Sequence, residues 1–316
     1  MRARAVISAL GGALGLLAVA GCNSLQGTAD TAPRARPAAL TPTDDATPSP
    51  RSQALAEYYK QLQADLLVRG LLRTDGGGVD TPYSDRDILN NFETLAFYDE
   101  YMQGAGFRRA SGRAGGLRKW TQPVRIGIEF GDTVPEDQRA ADRAMISRYA
   151  ARLARVTRHP ISVQRARANF HVLIMSADDR AQMVRTVRRL VPGIGPDSLD
   201  LFRGLPRSIH CFVVAFSAGE ASYRYTRAVA FIRAEHPELM RRSCVHEELA
   251  QGLGLANDSP RARPSIFNDD DEFALLTSHD EELLRLLYDP ALKPGMTPEQ
   301  ARPIAARILA GRSGPI

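Results

Sequence analysis

Ser243-Cys244-Val245-His246-Glu247-Glu248-Leu249-Ala250-Gln251-Gly252-Leu253-Gly254-Leu255-Ala256-Asn257-Asp258 decides how the rest of the chain is read. His246, Leu249, Ala250 and Leu253 recur at i, i+3, i+4 and i+7, the apolar stripe of a helix. His246-Glu247 invites the zinc pattern H-E-x-x-H, in which two histidines four apart bind the ion from one helix face. The second position of that frame is Ala250, and His246 itself belongs to the apolar stripe. Moving the frame by one residue fits better. Glu247 and Gln251 then stand four apart on one face, with Glu248 about 100° round the helix. Gly254 follows three residues after Gln251 and is expected to end the helix in a left-handed conformation. Asn257 lies three residues past that glycine.

This spacing resembles the metzincin pattern H-E-x-x-H-x-x-G-x-x-H, with Glu247, Gln251 and Asn257 in the three ligand places and Glu248 in the general-base place. Downstream, Ser265-Ile266-Phe267-Asn268 is similar to the Met-turn of that family, with Phe267 where the methionine stands. The short interval from Gly254 to Phe267 is similar to matrixin-like members. The resemblance covers about residues 119–288 and implies a zincin-like fold. The signature E-E-x-x-Q-x-L-G-L-x-N-D also resembles a group of uncharacterised bacterial exported proteins.

The substitutions carry a chemical consequence. Zinc prefers imidazole nitrogen and thiolate sulfur, and carboxylate less. One carboxylate and two neutral amides are a poor set, and without a Lewis acid Glu248 cannot turn water into a strong nucleophile. The expectation is therefore a domain that holds no metal or other cofactor and does not hydrolyse peptides, with a peptide or protein partner as candidate ligand of the cleft. Two alternatives stand beside it: a working metallopeptidase with unusual ligands or a non-zinc metal, and a purely structural envelope factor. Oxygen donors at Glu247, Gln251, Asn257 and Asp258, with Asn268 to Asp271 following, leave Ca²⁺ as the metal to test. His171 and His210 fall in strands, and His159, His236 and His279 beside helix ends or turns; none pairs with another at ligand spacing. Phosphate-loop, dinucleotide and G-x-S-x-G motifs do not occur.

Outward from the decisive helix, the pattern is α+β: a mixed sheet backed by helices. Val124, Ile126, Ile128 and Phe130 alternate with polar or small residues as a half-buried strand. Thr133-Val134-Pro135-Glu136 reads as a capping box opening a helix that Pro160 ends. Strands are expected at 161–163, 170–175, 209–216 and 223–232, and a helix over 178–190. Two amphipathic helices, about 52–73 and 84–102, are expected to form an N-terminal hairpin ahead of a Gly/Arg-rich loop. Ser278-His279-Asp280-Glu281 reads as a further capping box, and a last helix starts near Thr297.

The chain of 316 residues carries a net charge of +5, nearly all of it arginine, since lysine occurs only at Lys60, Lys119 and Lys293. The arginines are spread without a basic run, so no nucleic-acid partner is expected. At the start, Arg2 and Arg4 precede an apolar stretch, 5–20, which is short for a membrane span and suits a secretion signal. Val19-Ala20-Gly21-Cys22 resembles the bacterial lipobox. That resemblance implies lipidation of Cys22, membrane attachment through it and a place in the cell envelope. With Asn23 next, the address is the outer membrane facing the periplasm if the cell is Gram-negative. The organisation expected is a lipoprotein signal over 1–21, a disordered tether over 22–51, a helical prefix and loop over 52–118, and the metzincin-like domain over 119–316. In an oxidising compartment the remaining pair, Cys211 and Cys244, suggests a disulfide closing a loop of thirty-odd residues, two buried thiols being the alternative.

Overall fold

The computed structural model describes residues 47–98, 112–219, 222–268 and 270–312. The signal segment, Cys22 and most of the expected tether lie outside these residues. Six strands form one mixed sheet: β1 (Lys119–Trp120), β2 (Val124–Phe130), β3 (Ile161–Val163), β4 (Phe170–Met175), β5 (Cys211–Ser217) and β6 (Arg224–Arg233). Across the sheet the order is β3-β2-β4-β6-β5, with β1 paired to the first residues of β6. All pairings are parallel except β5 with β6. Every residue of β4 is buried. That continuous apolar run is what a central parallel strand covered on both faces requires.

Helices cover both faces. On one lie α3 (Glu136–Thr157) and α6 (Glu238–Leu253). Ile146, Tyr149, Leu153, Val245 and Leu249 from these helices share a core with Ile126, Phe170, Val172 and Ile174. On the other lie α4 (Arg180–Leu190) and α5 (Pro196–Arg203), whose Met183, Val187, Leu199 and Phe202 meet Leu173, Met175 and Phe231. The side chains of β4 divide between the two cores by alternate position, as strand geometry dictates.

Several expectations need correction. The two N-terminal helices, α1 (Pro50–Val68) and α2 (Asp85–Phe97), do not pack as a hairpin on each other. Tyr59 and Leu66 of α1 join Met240 of α6 and Leu275. Ile88, Phe92 and Leu95 of α2 join α7 (Ser278–Leu287) and α8 (Pro298–Arg312) through Leu283, Leu286, Ala301 and Ala305. Each apolar stripe finds a larger partner surface than the other helix offers. Thr133 does not cap α3, whose N-cap is Pro135 with no side-chain bond. Its hydroxyl is committed to Asp179 Oδ2 at 2.8 Å and Ser176 Oγ at 2.7 Å. The box that opens α7 begins one residue early, at Thr277, with Asp280 as its reciprocal partner. Neither α5 nor the two-residue β1 was expected. No helix among the described residues is long and apolar enough to cross a membrane.

A buried ion pair fastens α6 to α3. Arg241 Nε lies 2.8 Å from both carboxylate oxygens of Asp142, and the two side chains are 8% and 4% exposed. Burial raises the Asp142 pKa despite the opposing pull of Arg241. Removing one partner strands the other charge, so Asp142→Ala is expected to cost about 3–5 kcal/mol in urea unfolding. A loss below 1 kcal/mol would show that the pair is not holding the helices together.

Candidate functional site

The site is built on α6. Its N-terminal end receives a side-chain cap from another element, Met240 N–H donating to Gln63 Oε1 on α1 at 3.2 Å. Its C-terminal carbonyls are also met: Trp120 Nε1 donates to Gly252 O at 2.8 Å and Tyr288 Oη to Leu253 O at 2.9 Å. The helix stops where expected. Gly254 has φ 131°, and a Cβ there would stand 2.5 Å from the Arg118 carbonyl oxygen. Both the turn and the crossing chain therefore require glycine.

His246 lies on the buried stripe. Its ring stacks on Tyr149 with centroids 3.9 Å apart and planes 7° from parallel. Its Nδ1 accepts from Leu276 N–H at 3.0 Å, so the neutral ring carries its proton on Nε2. Tyr149 Oη donates to the His246 carbonyl at 2.8 Å. Burial, reinforced by Arg242 and Arg152, lowers the imidazole pKa to about 3. His246 is a packing residue with its acceptor nitrogen already engaged.

The shifted frame is distributed differently. Glu247 is half-buried and Glu248 is buried. One oxygen of each lies with Cys211 Sγ in a group whose atoms are all within 4.8 Å of one another. Cys211 opens β5 and is bonded to Cys244, three and four residues before the two glutamates. The disulfide anticipated from the cysteine count thus joins the edge strand to α6 at the place where the carboxylates gather. Closing a loop with a sequence separation of 33 contributes about 3–4 kcal/mol in the chain-entropy account. Gln251 and Asn257 are engaged elsewhere. Gln251 Nε2 donates to Asp258 Oδ1 at 3.1 Å, and Asn257 Nδ2 donates to the Thr94 carbonyl on α2 at 3.1 Å. The group around Glu247 and Glu248 includes neither Asp258 nor Asp270. Asp270 Oδ1 accepts Glu272 N–H at 2.9 Å in the acidic loop, and Asp269 lies outside the described residues.

Residues 265–268 form a turn. Phe267 is wholly buried and shares the core of Leu249 and Leu253. Ser259 N–H donates to its carbonyl at 2.8 Å. The residue that organises this turn is Asp280, fully buried, which also closes the capping box of α7. Its carboxylate accepts from Ser265 Oγ at 2.6 Å, Ile266 N–H at 3.1 Å, Thr277 N–H at 2.9 Å and Thr277 Oγ1 at 2.8 Å. Four donors satisfy a buried carboxylate. Sequence spacing also missed a second group: the rings of His210 and His236 lie 5.7 Å apart, both edge-on to Tyr59. His236 is fully buried, with Nδ1 3.7 Å from Cys244 Sγ, and burial holds its pKa well below the ordinary value.

This donor set does not fit zinc. The nearby sulfur is in a disulfide and is no thiolate, His246 faces the core, and the two amides offer only neutral oxygens, which zinc holds weakly. What remains is a pair of carboxylates at a covalently closed seam. The histidine geometry sets a pH dependence. His246 has a folded pKa of about 3 against 6.5 ordinarily, so below pH 6.5 the unfolded chain binds a proton that the folded chain refuses. Its contribution to stability is intact above pH 6.5 and declines as pH falls toward 3, by up to about 1.4 kcal/mol per unit. His246→Gln is expected to be less stable at neutral pH but to show a shallower loss over that window in urea melts. Equal slopes would remove His246 from this account.

One protein family matches residues 85–307 of the chain, and its description is Protein of unknown function (DUF2927). No curated protein and no solved structure matches the chain. The match runs from the first residue of α2 through the sheet and α6 into α8, more than half of the sequence, and this chain therefore belongs to the DUF2927 family.

Proposed function

We propose that this protein is a lipid-anchored envelope protein built on a degenerate metzincin-like domain, and that it binds a peptide or protein partner without hydrolysing it. Attachment through Cys22, with the body facing the periplasm in a Gram-negative cell, rests on the lipobox resemblance alone. The metzincin-like part draws support from the order of elements ahead of α6, from the glycine turn at Gly254 and from the buried turn around Phe267. The antiparallel edge strand beside α6 is compatible with such a cleft.

One observation carries the non-hydrolytic reading: Gln251 and Asn257, in two of the three ligand places, offer only neutral amide oxygens, and their amide groups are already oriented by hydrogen bonds to Asp258 and to the Thr94 carbonyl. A catalytic zinc needs ligands free to converge and an open position for water. Here the amides act as internal ties, and Glu248 stands beside a disulfide. Lacking a Lewis acid, water keeps its high pKa and a carboxylate base has little to activate.

The test is metal analysis of gently purified full-length protein together with a quenched-fluorescence peptide library. Far less than one zinc per chain and no cleavage above background are expected, with or without added zinc. Stoichiometric zinc, together with cleavage that disappears in Glu248→Ala, would overturn the proposal and restore the peptidase. Calcium is addressed in the same series, where no calcium-dependent shift in melting is expected.

A further inference from the structure

We infer that the open edge of β2 is a docking site for an extended acidic peptide, which adds to the sheet as a short strand in line with β3. This site is on the far side of the sheet order from β5 and is independent of the carboxylates of α6.

The edge follows from the register. β3 pairs with β2 only over Val124–Ile126, whereas β4 pairs with it over Ile126–Phe130. Val124 N–H donates to Pro160 O and Gln164 N–H to Ile126 O, which puts the backbone groups of the even-numbered residues on the β3 side. Arg125 O accepts from Asn169 N–H and Gly131 N–H donates to Ile174 O, which puts the odd-numbered ones on the β4 side. By this alternation Ile128 N–H and C=O, and Phe130 N–H, face the side that β3 has left. No strand among the described residues covers them. The chain departs because residues 164–169 cross β2 to reach β4, passing so close that a Cβ on Gly127 would stand 2.7 Å from Ala168 Cβ.

The surroundings specify the occupant. An open groove of about 710 Å³ runs along this edge, lined by Ile128 and Val163 and by Arg143, Arg165, Arg167 and Arg189. Four arginines and a single carboxylate line the groove, and that carboxylate, Glu129, is already bound by Arg189 at 2.6 Å and approached by His171 at 3.7 Å. Arg143 lies over the Phe130 ring at 5.2 Å. Among the described residues no carboxylate pairs with Arg143, Arg165 or Arg167, and the last two are exposed. Guanidinium forks bind carboxylates in bidentate fashion. A strand presents alternate side chains on one face, so a peptide with an acid at every second position turns its acids to the α4 face, where Arg189 lies, and its apolar residues to the face of Ile128. A simple inorganic anion would use the arginines and leave the Ile128 backbone groups and the apolar floor unused.

The experiment uses full-length protein and a fluorescein-labelled heptapeptide of alternating glutamate and valine, read by anisotropy. Saturable binding is expected. It should weaken about tenfold or more in R165E/R167E, while a glutamine-for-glutamate peptide binds poorly at any salt concentration. Two versions of the probe carry backbone N-methyl groups on alternate residues. Strand addition predicts that one register loses about tenfold and the other is unaffected. Equal binding by both registers would overturn strand addition, and inorganic polyphosphate displacing such a probe would assign the groove to anions in general. No binding by the acidic peptide would also overturn it, leaving the arginines as guards that keep the edge from pairing. A folded E247A/E248A/Q251A variant should bind the probe as wild type does, so failure of the α6 reading and failure of this one are separable. Loss of binding in that variant would move the site to α6 and overturn its placement here.

Discussion

α6 is fastened to its surroundings along its whole length, and the remaining architecture is arranged around those attachments. Arg241 ties it to α3 through a buried carboxylate, Cys244 ties it covalently to β5, and His246 is held between Tyr149 and the Leu276 amide. Its last carbonyls are met by Trp120 and Tyr288. Interior packing is dense enough that such a helix cannot shift without moving its neighbours. The position of each polar side chain it carries is thereby set, including the glutamates that meet the first residue of the edge strand.

This restraint extends past the end of α6 through its polar side chains. Gln251 and Asn257 form hydrogen bonds that tie α6 to its following loop and that loop to α2. The two amides thus supply local ties, while the helix itself depends on the apolar stripe and the glycine.

Much of the fold could be read from local pattern. The alternation in β2, the buried run of β4, the stripe of α6 and the stop at Gly254 are each encoded in a few neighbouring residues, and the pairing of Cys211 with Cys244 follows the cysteine count. The misread features depend on distant partners. Thr133 has the right neighbours for a cap, but Asp179 competes for its hydroxyl from 46 residues away. α1 and α2 have the stripes of a hairpin, but each meets a wider apolar surface elsewhere in the chain. β1 is too short to show a period, and its strand character comes from pairing with β6. The role of Asp280 was hidden because two of its four donors, Ser265 and Ile266, reach it from another segment of the chain only after folding. The cluster of Tyr59, His210 and His236 was hidden for the same reason, since no fixed spacing connects a helix, a strand end and a loop.

The central strand has a further consequence. Every β4 side chain is buried, and its backbone is bonded to β2 on one side and β6 on the other. Its amide protons can then meet solvent only when the whole sheet comes apart, whereas those of the three-residue β3 need only a local opening at the rim. In deuterium the molecule should therefore label from its margins inward, with Phe170 to Met175 retaining their protons longest and reporting the global free energy of unfolding.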